Sequence, residues 1–134
     1  MSKIVIKDFI DFLKCKIYDT KEEKFLKRVS CGFLLPKDIT GYAANLEYFV
    51  KSERFIIINP TGIKFGSPSK NKEAFEGDIV ESIHSTKRYT VICSDGSFAL
   101  LRTGELLYFP NIDTSFYIIK GNKYENPELL TYNL

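Results

Sequence analysis

Tryptophan is absent from this 134-residue chain, and histidine and methionine occur once each. A single imidazole, His84, cannot supply a multi-histidine metal site. Cysteine is scarce as well: Cys15, Cys31 and Cys93 are odd in number, far apart and without Cys-x-x-Cys spacing. That pattern excludes a disulfide framework and a cysteine-based zinc site, and reads as reduced core thiols in a cytosolic protein. Charge of one sign is lacking too. Nineteen basic residues against seventeen acidic ones leave +2, too little for a long-range field to recruit phosphates on its own. No apolar run is long enough to span a bilayer, and Lys3, Lys7, Asp8 and Asp11 interrupt what a signal peptide would need. No membrane partner, metal or cofactor is expected, and the expected location is the cytoplasm.

What the chain does have is apolar mass. Hydrophobic residues make up 44% and aromatics 14%, enough to offset the ordering entropy of a domain of this length. The aromatics are Phe and Tyr set mostly beside Ile and Val, a composition suited to half-buried pleated surfaces. The expected fold class is therefore mainly β, with an α+β amino-terminal region.

Along the chain, Ile6, Phe9, Ile10 and Leu13 form the stripe of a short amphipathic helix over Ile4–Leu13, with a strand at Lys3–Lys7 as the alternative. Runs at Lys14–Tyr18 and Lys24–Leu35, joined by a polar connector, predict an antiparallel pair. Asn45–Lys51 has a helical spacing of Leu46, Phe49 and Val50, and Arg54–Ile58 reads as a strand. The stretch Asn59–Asn71 is dense in Pro, Gly and Ser, which marks a boundary between regions 1–58 and 59–134. Beyond it, Asp78–His84, Tyr89–Ser94, Ser97–Arg102, Glu105–Phe109 and Phe116–Lys120 predict five short strands of a meander, consistent with a small barrel. Asn126, Pro127 and Glu128 form a helix-start signal, with Asn126 as cap and Pro127 at the first helical position.

Few residues have a spacing that carries chemistry. Glu76-Gly77-Asp78 sets two carboxylates around a glycine, yet Gly at positive φ and Asp bonding its own backbone describe a turn more directly than an acid–base pair. Asp95-Gly96 between β-rich runs is a hairpin signal. A hydrolase reading would pair His84 with Asp78 or Asp95, but no Gly-x-Ser-x-Gly elbow accompanies it. Lys64, Lys70, Lys72, Lys87 and Arg88, interleaved with Phe65 and Tyr89, make the nearest approach to a nucleic-acid surface. Glu73, Glu76, Asp78 and Glu81 lie among them, which favours a mixed solvated face.

Three segments carry a resemblance to a known family: Thr61-Gly62-Ile63-Lys64 leading to Phe75-Glu76-Gly77-Asp78-Ile79-Val80, then Asp95-Gly96-Ser97-Phe98, then Gly121-Asn122-Lys123-Tyr124-Glu125-Asn126-Pro127-Glu128-Leu129-Leu130. In this order they resemble the YopX family of phage and prophage proteins, with Lys123 standing where that family has an apolar residue. Lys16–Lys24 resembles the family's opening segment more loosely, with Tyr18 where Trp is common. The resemblance implies a small SH3-like β barrel in the carboxy-terminal half, self-association, and no established activity. It carries no catalytic or ligand-binding residue onto Glu76, Asp78, Tyr124 or Glu125. The expectation is a non-enzymatic, self-assembling interaction module with a host or phage protein as partner, and nucleic-acid binding as the alternative.

Overall fold

The computed structural model describes residues 14–29, 32–39, 49 and 51–133. The fold is mainly β, in two compact units that part between Asn59 and Pro60. The helix expected over Ile4–Leu13 lies outside the described residues, as does Cys31. Of the one expected over Asn45–Lys51, only Phe49 and Lys51 are described, both helical. Among the described residues no helix is long and apolar enough to cross a membrane.

The amino-terminal unit is organised by β1 (Lys16–Asp19), which pairs antiparallel with β2 (Lys24–Phe25) on one side and with β5 (Phe55–Ile58) on the other. The expected antiparallel pair exists, but its second run is not one strand. It breaks into β2, β3 (Arg28–Val29) and β4 (Gly32–Phe33), and the last two pair with each other. Ile17, Leu26, Phe49 and Phe55 are buried together, and the Phe49 and Phe55 rings meet edge to face with centroids 5.3 Å apart. Side chains of this size each stabilise the unit by roughly 1.5–3 kcal/mol when fully buried. The connector between β1 and β2 is held locally, since Asp19 Oδ1 accepts the backbone N–H groups of Lys21 at 3.0 Å and Glu22 at 3.3 Å.

The carboxy-terminal unit holds β6 (Pro60–Ser67), β7 (Lys70–Phe75), β8 (Asp78–Ser82), β9 (Arg88–Ser94), β10 (Ser97–Arg102), β11 (Glu105–Tyr108) and β12 (Tyr117–Asn122). Short 3-10 segments lie at Phe109–Asn111, Thr114–Phe116 and Pro127–Asn133. Five antiparallel strands form one sheet in the order β11-β10-β9-β8-β12, so β12 returns to lie beside β8 and, among the described residues, β11 and β12 are the edges. The strand expected at Glu105–Phe109 stops at Tyr108, because Pro110 brings no backbone donor and favours the 3-10 turn that follows.

The segment read as a boundary loop, Asn59–Asn71, proves to be largely strand. β6 and β7 make a hairpin that turns at Pro68-Ser69. Its turn-forming composition has a structural reason: the register shifts between Pro60 and Lys64, and the Thr61 hydroxyl bridges the irregularity by donating to Ala74 O at 2.8 Å and accepting Ile63 N–H at 3.1 Å. Gly66 has φ +118 and its α-carbon faces the backbone of Lys70, so no side chain fits. Phe65, Ala74, Val80, Tyr89, Val91, Leu100 and Phe109 are buried as one cluster, to which the hairpin contributes Phe65 and Ala74.

Candidate functional site

The first and last of the three sequence segments meet in space. Gly77, at φ +93, donates its N–H to Val91 O at 2.8 Å and accepts the Lys123 N–H at 2.8 Å. A β-carbon at Gly77 would stand 2.7 Å from Cε2 of Tyr124, so the tyrosine ring lies directly on the glycine. Lys123 in turn sits over that ring, with Nζ 5.3 Å from its centroid. Burial, then the charge of Glu76, raises the Tyr124 pKa above the ordinary phenol value. Asp78 serves the turn: its Oδ2 accepts the Phe75 N–H at 2.8 Å and closes the β7–β8 connection.

The closing segment is a compact knot of asparagine bonds. Asn122 Oδ1 accepts the N–H groups of Tyr124 at 3.0 Å and Glu125 at 2.9 Å, while its Nδ2 donates to Glu125 Oε1 at 3.0 Å. Asn126 was expected to cap the helical turn that starts at Pro127. Its side-chain oxygen instead turns back and accepts the Asn122 N–H at 3.2 Å. That return requires Gly121, where a β-carbon would lie 2.4 Å from Asn126 Oδ1. Beyond it, Arg88 ties the terminal 3-10 segment to the sheet by donating to Leu129 O at 3.0 Å.

Asp95 and Gly96 have φ values of 51 and 78, the two positive values that a tight type I′ hairpin needs, and Ser94 pairs with Ser97 across them. His84 follows the far end of β8 from Asp78. Because β9 runs back antiparallel, Asp95 also lies at the end of the sheet away from His84. The pairings proposed for a hydrolase are therefore not assembled. His84 is exposed, and its ring packs edge-on against Phe116 with centroids 4.8 Å apart.

The basic residues separate into two groups. Lys87 pairs with Glu105 at 3.3 Å, and Arg88 with Glu81 at 3.0 Å, so both are engaged within the fold. Lys64, Lys70 and Lys72 are exposed on the β6–β7 hairpin. Its register sets Lys72 opposite Phe65 and Lys70 opposite Ser67, which puts these two on one face, while Lys64 is opposite Glu73 on the other. They do not line one phosphate-tracking groove.

The open edge of the five-stranded sheet has a different character. Leu101 and Leu106 are directly opposed on β10 and β11, and are 43% and 41% exposed. An apolar pair of this kind, beside the edge strand that β11 forms among the described residues, is a pairing surface.

Sequence reasoning missed the densest polar cluster, which belongs to the amino-terminal unit. Arg54 Nε lies 2.8 Å from Asp19 Oδ1 and Nη2 lies 2.8 Å from Oδ2, a two-pronged ion pair with the Asp19 side chain fully buried. The same guanidinium reaches Asp38 at 2.9 Å, and Lys21 reaches Asp38 at 2.6 Å. The Arg54 hydrogen bonds hold the Asp19 carboxyl below the usual carboxylate range, and with Lys21 hold Asp38 lower as well. The only sequence signal was an aspartate ending an apolar strand. All four side chains satisfy one another, so the cluster acts as a clamp between β1 and the loops beside it rather than as a reactive centre. In comparisons with known proteins, no family model matches the chain and no curated protein matches it.

Proposed function

We propose that the protein is a non-enzymatic interaction module that assembles with its own copies through the β11 edge of the five-stranded sheet. The single observation that supports this most is the exposed Leu101–Leu106 pair at that open edge. Antiparallel addition of β11 from a second copy would extend the sheet by backbone pairing and bring four leucines together. The YopX-like segments favour the same reading and extend it to a phage or prophage accessory protein in the cytoplasm of a bacterial host, with a host or phage protein as a further partner. The finer fold assignment, an SH3-like barrel, draws on the packing of the β6–β7 hairpin with the core of the sheet. Sedimentation velocity at micromolar concentration tests the assembly: the wild type is expected as a symmetric oligomer and Leu106→Lys as a monomer, and a monodisperse wild-type monomer overturns the reading.

A second reading, nucleic-acid binding, is supported by the three exposed hairpin lysines, Lys64, Lys70 and Lys72. It predicts a salt-sensitive shift of labelled DNA or RNA that is lost in Lys70→Glu with Lys72→Glu. The engagement of Lys87 and Arg88 with Glu105 and Glu81 makes it the weaker of the two.

A further inference from the structure

A half-open cavity of about 490 Å³ lies in the amino-terminal unit between β2 and the segment that follows β4. Its size is within the roughly 300–1,000 Å³ range of ligand sites. Phe25, Leu26, Leu35 and Pro36 supply apolar wall, and Leu34 stands at the lip 57% exposed. The Phe25 ring is fixed in place, edge-on to Tyr18 at 5.1 Å and beneath Lys16 Nζ at 5.8 Å. That wall exists before anything binds.

Charge around this cavity is one-sided. Lys24, Lys27 and Lys37 line it against the single acid Glu22. All three lysines are exposed and make no ion pair among the described residues, in contrast to nearby Lys21, which Asp38 already holds at 2.6 Å. Three uncompensated ammonium groups around an apolar floor are complementary to an apolar side chain flanked by carboxylates. A phosphodiester chain matches the cations and offers nothing to the floor. A long acyl chain needs an enclosed channel, and this cavity opens to solvent. Among the described residues β2 is moreover the edge of its sheet, so an extended backbone could pair beside it.

We infer that this cavity is a docking site for an acidic peptide segment, which seats one apolar side chain among Phe25, Leu26 and Leu35 and sets its carboxylates against Lys24, Lys27 and Lys37. The site lies in the other unit from the β11 edge and does not rest on the proposed self-assembly.

The test is a titration of the isotope-labelled full chain with the capped hexapeptide Glu-Glu-Leu-Leu-Glu-Glu, followed by amide NMR, with Lys-Lys-Leu-Leu-Lys-Lys as control. The acidic peptide is expected to shift the amides of Lys24, Phe25, Leu26, Lys27, Leu34, Leu35 and Lys37, with affinity falling roughly fivefold or more as salt is raised from low to physiological strength. Lys24→Glu, Lys27→Glu and Lys37→Glu together are expected to weaken it at least about tenfold. Lys37→Glu alone, if folded by circular dichroism, is expected to weaken it in the same direction. The inference is overturned by an absence of shifts at millimolar peptide, by equal binding of the lysine peptide, or by charge reversals without effect. Shifts elsewhere, or preferential occupancy of this cavity by an oligonucleotide or a second copy of the chain, would overturn it equally.

Discussion

Replacing Gly77 by alanine tests the contact between the two distant sequence segments. Two costs arise at this position and they are separable. The first is conformational: at φ +93 an L-residue is strained whatever its surroundings, by roughly 1–2 kcal/mol. The second is steric, because the new methyl group would lie 2.7 Å from Tyr124 Cε2, well inside an ordinary carbon contact. The ring must move off the glycine, and losing part of the packing of a half-buried tyrosine adds on the order of 1–2 kcal/mol. Gly77→Ala should therefore destabilise the unit by about 2–4 kcal/mol in the wild-type background but by only about 1–2 kcal/mol in Tyr124→Ala. Urea unfolding followed by far-ultraviolet circular dichroism measures all four members of the cycle. The chain has no tryptophan to report instead. A coupling energy of zero within error would refute the claim that the ring rests on Gly77.

The clamp of the amino-terminal unit gives a second expectation. Asp19→Asn removes the buried charge opposite Arg54 and should cost about 2–3 kcal/mol, since Asp38 still holds part of the guanidinium. Because the native Asp19 pKa lies below its unfolded value of about 4, its contribution is complete above that value. As pH falls below about 4 the unfolded chain binds the extra proton first, and the contribution is lost by the time pH has fallen through the lower native pKa, so the acid limb of the stability profile should flatten in Asp19→Asn. At the alkaline end, burial and then the hydrogen bond to Glu105 push Tyr89 up to about 12. The native state favours the neutral phenol, so its contribution is complete below about pH 10 and declines as pH rises from there through the native value. Tyr89→Phe should remove that late step from a tyrosinate absorbance titration. Phe65→Ala should cost about 3–5 kcal/mol in chemical denaturation, because Phe65 is fully enclosed and its ring packs tilted against Phe109 with centroids 5.1 Å apart.

The strands of the five-stranded sheet were legible because each is a short apolar-rich run closed by a turn residue with a mechanism. Gly77, Asp95 and Gly96 do take the positive φ angles that a sequence reader expects of them. The β6–β7 hairpin was not legible, since Pro60, Gly62 and Gly66 serve a bulge and a close backbone approach, and their chemistry is that of loops. Composition cannot separate the two uses. Lys24–Leu35 misled in the opposite sense: a stretch read as one run was divided by pairings of β1 with β2 and of β3 with β4 that no single-strand pattern encodes. The Asp19–Arg54 clamp joins positions thirty-five residues apart, and nothing local in either strand marks the other. His84 was identifiable as chemically isolated from its count alone, and the fold adds that Asp78 and Asp95 lie at the other end of the sheet.

The return of β12 to the side of β8 has a kinetic meaning. Hairpins β8–β9, β9–β10 and β10–β11 each close over a few residues, whereas β8 and β12 join positions about forty residues apart, which raises the loop-closure cost by roughly 2 kcal/mol. The meander should therefore assemble quickly and wait, its β8 edge bare, for the one non-local pairing. A translation stop before Tyr117 would leave that edge permanently open, so the shortened product should aggregate rather than persist as a smaller version of the fold.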